Sequence, residues 1–132
     1  MARILVTEDD EAVRSFVKRA LELDGHSVEI AEDGGEAVDV LKQHGGAFDL
    51  VLSDIKMPVM DGIALALVVA RDWPSLRILL MTGFADQRER AHNLDALVHD
   101  VVTKPFSLAD IRRAVSMALA GIVNEDDRKL YA

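Results

Sequence analysis

Four short apolar runs in this chain each lead to a polar group, and that pattern leaves few folds open. Ile4, Leu5 and Val6 lead to Glu8 and Asp9, and Leu50, Val51 and Leu52 lead to Asp54. Residues 78–81 lead to Thr82, and Val101 and Val102 are followed closely by Lys104. The runs around Leu5, Val51 and Leu79 are nearly continuous, as expected of strands covered by helices on both faces. Val28 and Ile30 instead alternate with Glu29, the period of a half-exposed strand at a sheet edge.

Between the runs the period becomes helical. Val13, Phe16, Val17, Ala20 and Leu21 recur on one helical face, opened by Asp10 and Glu11 and closed by Gly25. Ala37, Val40 and Leu41 form a second face after Asp33, Gly34 and Gly35. A capping box of Ser107 and Asp110 starts a helix with the stripe Leu108, Ile111, Val115, Ala118, Leu119 and Ile122. Strand and helix thus repeat five times, with crossovers long enough for right-handed parallel connections, which predicts an open, doubly wound α/β sheet. Two segments fit less well. Residues 62–71 are apolar on every side, and residues 86–99 are polar, with only Ala91, Leu94 and Leu97 to anchor a loosely held helix.

Composition limits what such a sheet can do. With 132 residues, half of them hydrophobic, the chain suits one core, expected over residues 1–121, with residues 122–132 as a solvated tail. Fifteen basic against 23 acidic residues leave a formal charge of -8, and no basic run offsets it, which disfavours direct binding to nucleic acid. The absence of cysteine excludes disulfides and thiolate metal sites. Residues 8–11 break any apolar leader, and the longest apolar run, 63–70, is far too short to cross a bilayer. A soluble, cytoplasmic protein without membrane contact is expected.

If the strands are parallel, all the terminal polar groups share the carboxyl edge, where open α/β sheets place their sites. Three carboxylates gathered there repel, each pair at about 4 Å costing roughly 4 kcal/mol at an effective dielectric of about 20. Such a cluster calls for a cation, and Mg2+ suits it, because that ion takes one or two carboxylates and keeps waters and phosphate oxygens. Lys104 adds a fixed positive charge and Thr82 a hydroxyl. Together they suit a phosphoryl group in transfer, with Asp54 as nucleophile and Glu8 and Asp9 as the metal-holding pair. Duller readings compete. Residues 8–11 alone would pass for helix-capping acids, Asp61 is most simply an N-cap, and Met57 and Met60 read as packing residues. His26, His44, His92 and His99 show no metal spacing.

The residues resemble the receiver domains of bacterial two-component response regulators, over residues 3–121. The run Asp54-x-x-Met57-Pro58-x-Met60-Asp61-Gly62 carries the resemblance, together with Glu8 and Asp9, Thr82, and Lys104 before Pro105 and Phe106. It implies a flavodoxin-like or CheY-like fold: a five-stranded parallel sheet in the order 2-1-3-4-5 with five helices. It further implies Mg2+ held by Glu8, Asp9, Asp54 and the backbone carbonyl of Lys56, with Asp9 the direct ligand of the acid pair. Asp54 would be the phosphoacceptor, Thr82 the hydroxyl that turns toward the phosphoryl group, Lys104 its ion-pair partner, and a cis peptide would sit at Pro105. Two positions depart from the pattern. Val101 replaces a common aromatic, which puts a rotamer switch of the tyrosine type in doubt, and Leu97 and Val98 replace a Gly-Ala pair. Residues 82–85, Val101 and the lack of an output domain add a narrower resemblance to stand-alone regulators of the CpdR type.

The function so implied is a single-domain response regulator rather than an enzyme. A sensor histidine kinase or histidine phosphotransfer protein would donate the phosphoryl group, and output would pass through a downstream protein target, with a homodimer left open. Two alternatives remain. An aspartyl-phosphate phosphatase usually carries a second acid two residues after its nucleophile, where this chain has Lys56. A receiver-like module that never gains phosphate would not need all five site positions.

Overall fold

The computed structural model describes residues 1–83 and 98–121. Its elements follow the alternation in the sequence: β1 (Arg3–Thr7), α1 (Glu11–Leu23), β2 (Ser27–Ala31), α2 (Gly34–Gln43), β3 (Leu50–Asp54), α3 (Gly62–Asp72), β4 (Arg77–Thr82), β5 (Asp100–Thr103) and α4 (Leu108–Ala120). All strands are parallel and lie in the order β2-β1-β3-β4-β5. The doubly wound five-stranded sheet is therefore as expected. Of the five helices expected, four fall among the described residues; the helix expected over 86–99 lies outside them except for Val98 and His99, which are not helical, and the tail 122–132 lies outside them.

The period of two within each strand sorts the core into two layers. Leu5, Val51, Ile78 and Leu80 face Ala37 and Leu41 of α2 and Leu65, Ala66 and Val69 of α3. Ile4, Val6, Leu50, Leu52, Leu79 and Met81 face Val17, Ala20 and Leu21 of α1 and Ile111, Val115 and Ala118 of α4. Each Leu, Ile, Val or Met among them contributes about 1.5–3 kcal/mol by leaving water. Central β3 is buried throughout and edge strand β2 is mostly exposed. Their sequences differ accordingly, one a continuous apolar run and the other alternating.

Helix starts are set by local hydrogen bonds. The Asp10 carboxylate accepts from the Ala12 and Val13 amides, Asp33 from Glu36, and Asp61 from Ala64. Ser107 and Asp110 close the expected capping box at α4. The stripe expected on α1 needs one correction. Phe16 is 40% exposed and stacks on Phe106 at a centroid distance of 6.4 Å, whereas Arg14 is buried alongside Val17, Ala20 and Leu21. Leu108 of α4 is likewise on the surface. Of the all-apolar α3, Leu65, Ala66 and Val69 are buried and Leu67 is left exposed.

Candidate functional site

Parallel strands bring their carboxyl ends to one edge, and the singled-out residues converge there. Glu8 follows β1, is buried, and donates its amide to the Ala31 carbonyl at 3.0 Å. Asp54 and Thr82 are the last residues of β3 and β4, and both are buried. Lys104 follows β5, its amide bonded to the Thr82 carbonyl at 2.7 Å. Asp9 is exposed at the rim. One carboxylate oxygen from each of Glu8, Asp9 and Asp54 lies within 4.8 Å of the others. Into this cluster reaches the Lys104 Nζ, 3.0 Å from Glu8 Oε1 and 3.4 Å from Asp54 Oδ1. The Ile55 amide also donates to Asp54 Oδ1, at 3.0 Å. Lys56 stands exposed in the loop after β3.

The electrostatics follow from this crowding. Burial, then the charge of Asp54, push the Glu8 carboxyl up to about 7, although the hydrogen bond and charge of Lys104 act the other way. Burial pulls the Lys104 ammonium down, but its hydrogen bond to Glu8 and the charges of Asp54 and Glu8 outweigh that and leave it raised. One ammonium thus serves two carboxylates. Glu8 Oε2 remains buried without a hydrogen-bond partner, and a buried acceptor left in this way costs about 1–3 kcal/mol. An all-oxygen donor set with an orphaned carboxylate oxygen fits a hard divalent cation such as Mg2+.

Three backbone features mark the edge. Gly62 donates its amide to the Ile55 carbonyl at 2.8 Å, and a Cβ at Gly62 would collide with the Asp54 carbonyl and stand 2.9 Å from the Ile55 Cα. Only glycine lets α3 start this close to the end of β3. Val59 takes φ of 70°, a left-handed conformation that strains a β-branched residue, while its side chain is 87% exposed and gains little packing in return. The peptide between Lys104 and Pro105 is cis, as the resemblance implied. Arg14 is the residue that sequence reasoning passed over. Its signal was available, since it stands three residues before Val17 and seven before Leu21 on the apolar stripe of α1.

An open, doubly wound sheet whose carboxyl edge gathers acids around one lysine defines a recognisable class of signalling domain. The chain belongs to the response regulator receiver domain family, whose profile matches residues 4–116. Similar proteins include response regulator MprA of Mycobacterium avium (strain 104), 35% identical over 130 residues, covering 98% of this chain and 56% of the relative. MprA of Mycobacterium sp. (strain KMS) is 38% identical over 109 residues, covering 83% of this chain and 46% of the relative. The chain therefore spans about half the length of these curated relatives. Among solved structures, the non-phosphorylated HemR receiver domain from Leptospira biflexa aligns with a TM-score of 0.81 at 30% identity, covering 91% of this chain and 95% of that one. TrrA from Thermotoga maritima, described in complex with Mg(2+)-BeF, aligns with a TM-score of 0.78 at 29% identity, covering 89% of this chain and 99% of that one.

Proposed function

We propose that Asp54 accepts a phosphoryl group from a sensor histidine kinase or histidine phosphotransfer protein in a Mg2+-dependent reaction, and that the altered surface signals through protein contact. The observation that carries this reading is the convergence of Glu8, Asp9 and Asp54, with the Lys104 ammonium on Glu8 and Asp54. Glu8, Asp9, Asp54 and the Lys56 backbone carbonyl would hold the ion. When bound, Mg2+ would neutralise charge on the transferring phosphoryl oxygens.

The chain's own groups account for the rest. A carboxylate oxygen of Asp54 attacks phosphorus, the donor's phosphorus–nitrogen bond breaks, and the leaving imidazole takes up a proton. The Ile55 amide and Lys104 fix the orientation of the attacking carboxylate. Phosphorylation adds about -1.5 to -2 charges, which draws Lys104 from Glu8 toward the new oxyanion and brings the Thr82 hydroxyl to it. We place this activity in the cytoplasm, in a domain over residues 1–121; among the described residues no helix is long and apolar enough to cross a membrane. The Mg(2+)-BeF complex of TrrA supports the reading by analogy of site and fold.

Incubation with acetyl phosphate and Mg2+ should add one phosphate, read by intact-protein mass spectrometry and lost on hydroxylamine treatment. Asp54→Asn should abolish it. Undiminished uptake by that variant would overturn the assignment.

A further inference from the structure

Arg14 stands where the α1 stripe calls for an apolar side chain. It is buried with Val17, Ala20 and Leu21, yet among the described residues its guanidinium meets just two polar partners. Nη1 donates to the Glu8 backbone carbonyl at 2.9 Å, a buried contact, and Nη2 lies 3.8 Å from the exposed Glu32 carboxylate. An ion pair at that distance and exposure does little to offset the desolvation of a guanidinium. The placement also runs against the helix dipole, because the first turns of a helix favour acids over cations. Stem packing and the nearby acids suit an arginine in general but do not fix where its guanidinium points. The contact to the carbonyl does.

That carbonyl belongs to the peptide joining Glu8 to Asp9. The Glu8 amide is already held by the Ala31 carbonyl at 3.0 Å. With Arg14 on the carbonyl, Glu8 is held on both its backbone sides, and the peptide between Glu8 and Asp9 is anchored at its carbonyl. We propose that Arg14 is a positioning residue for the cation site: through the Glu8 carbonyl it orients the peptide that presents both carboxylates to the metal. The inference rests on the Mg2+-dependent reading above. Outer-sphere groups that orient metal ligands typically carry about 10–100-fold of the affinity.

Electrostatics makes the opposite prediction. A cation beside an acidic site competes with Mg2+, so removing its charge alone would tighten binding. The test is isothermal titration of Mg2+ into the wild type and into Arg14→Met, Arg14→Gln and Leu41→Ala, with urea unfolding of each protein in chelator. Arg14→Met keeps the bulk of the stem without a donor and should bind Mg2+ about tenfold or more weakly. Arg14→Gln, which regains a donor without charge, should recover part of the loss. Leu41→Ala, destabilised in the core far from this peptide, should keep wild-type affinity. Faster amide exchange at Glu8, whose amide is held by the Ala31 carbonyl, in metal-free Arg14→Met would support the same mechanism. Affinity in Arg14→Met equal to or tighter than wild type would overturn the proposal, as would a loss that merely tracks stability across all variants. Failure of the wild type itself to bind Mg2+ would instead overturn the functional reading along with it.

Discussion

Glu8→Gln tests the electrostatics of the site most directly. Without metal, the Glu8 carboxyl titrates at about 7 against an ordinary 4.5, because it is buried and faces Asp54. A folded-state value above the unfolded one means that the folded protein holds the proton more tightly. The stability attached to the neutral carboxyl is therefore complete below about pH 4.5, declines as pH rises, and is gone above about pH 7. A tenfold difference in proton affinity is worth about 1.4 kcal/mol, so this group alone withdraws roughly 3 kcal/mol across that window. Glutamine has no proton to lose, so the stability of Glu8→Gln relative to wild type should rise by about 2–3 kcal/mol between pH 4.5 and 8. Urea unfolding in chelator, followed by the fluorescence of Trp73, the one tryptophan, measures it. Saturating Mg2+ should remove most of the wild-type slope, since a cation favours the ionised carboxyl. Parallel pH profiles for the two proteins without metal would refute the reasoning.

Neighbouring acids should separate cleanly. Asp10→Ala should cost about 0.5–2 kcal/mol of stability, because Asp10 accepts from the Ala12 and Val13 amides, and leave Mg2+ affinity unchanged. Asp9→Ala should weaken Mg2+ about tenfold or more while costing little stability, because Asp9 is exposed and its carboxylate belongs to the cluster. Calorimetry and denaturation of both variants check this, and equal effects would mean the acid pair is misassigned. Val59→Gly should stabilise the fold by about 1 kcal/mol, since glycine takes a φ of 70° without the clash that valine suffers there. A lower midpoint in urea would show that the left-handed turn is not strained.

How much of this was legible beforehand differs from residue to residue. Gly62 stood in the sequence as the last residue of the run from Asp54, but its requirement comes from the Asp54 and Ile55 backbone pressed against it, a contact no local pattern announces. Phe16 and Arg14 changed places relative to the expected stripe. The 3.6-residue period gives the direction of a face but not its edges, and what lies beyond the edge is set by neighbours from elsewhere in the chain: Phe106 for one, the Glu8 carbonyl for the other. The two core layers, by contrast, follow directly from alternation within each strand, since adjacent side chains must point to opposite faces.

The chain's own order of apolar runs and polar stops was enough to determine an open parallel sheet with acids, hydroxyl and lysine at one edge, because periodicity and connection handedness are local or nearly local constraints. Tertiary structure alone decided the state of those groups. That Glu8 is buried with one oxygen orphaned while Asp9 stays in water, and that Lys104 leans on Glu8 more closely than on Asp54, depends on Ångström-scale approach between segments almost a hundred residues apart. Charge interactions change steeply over such distances and with burial, and neither quantity is written in the spacing of residues along a chain.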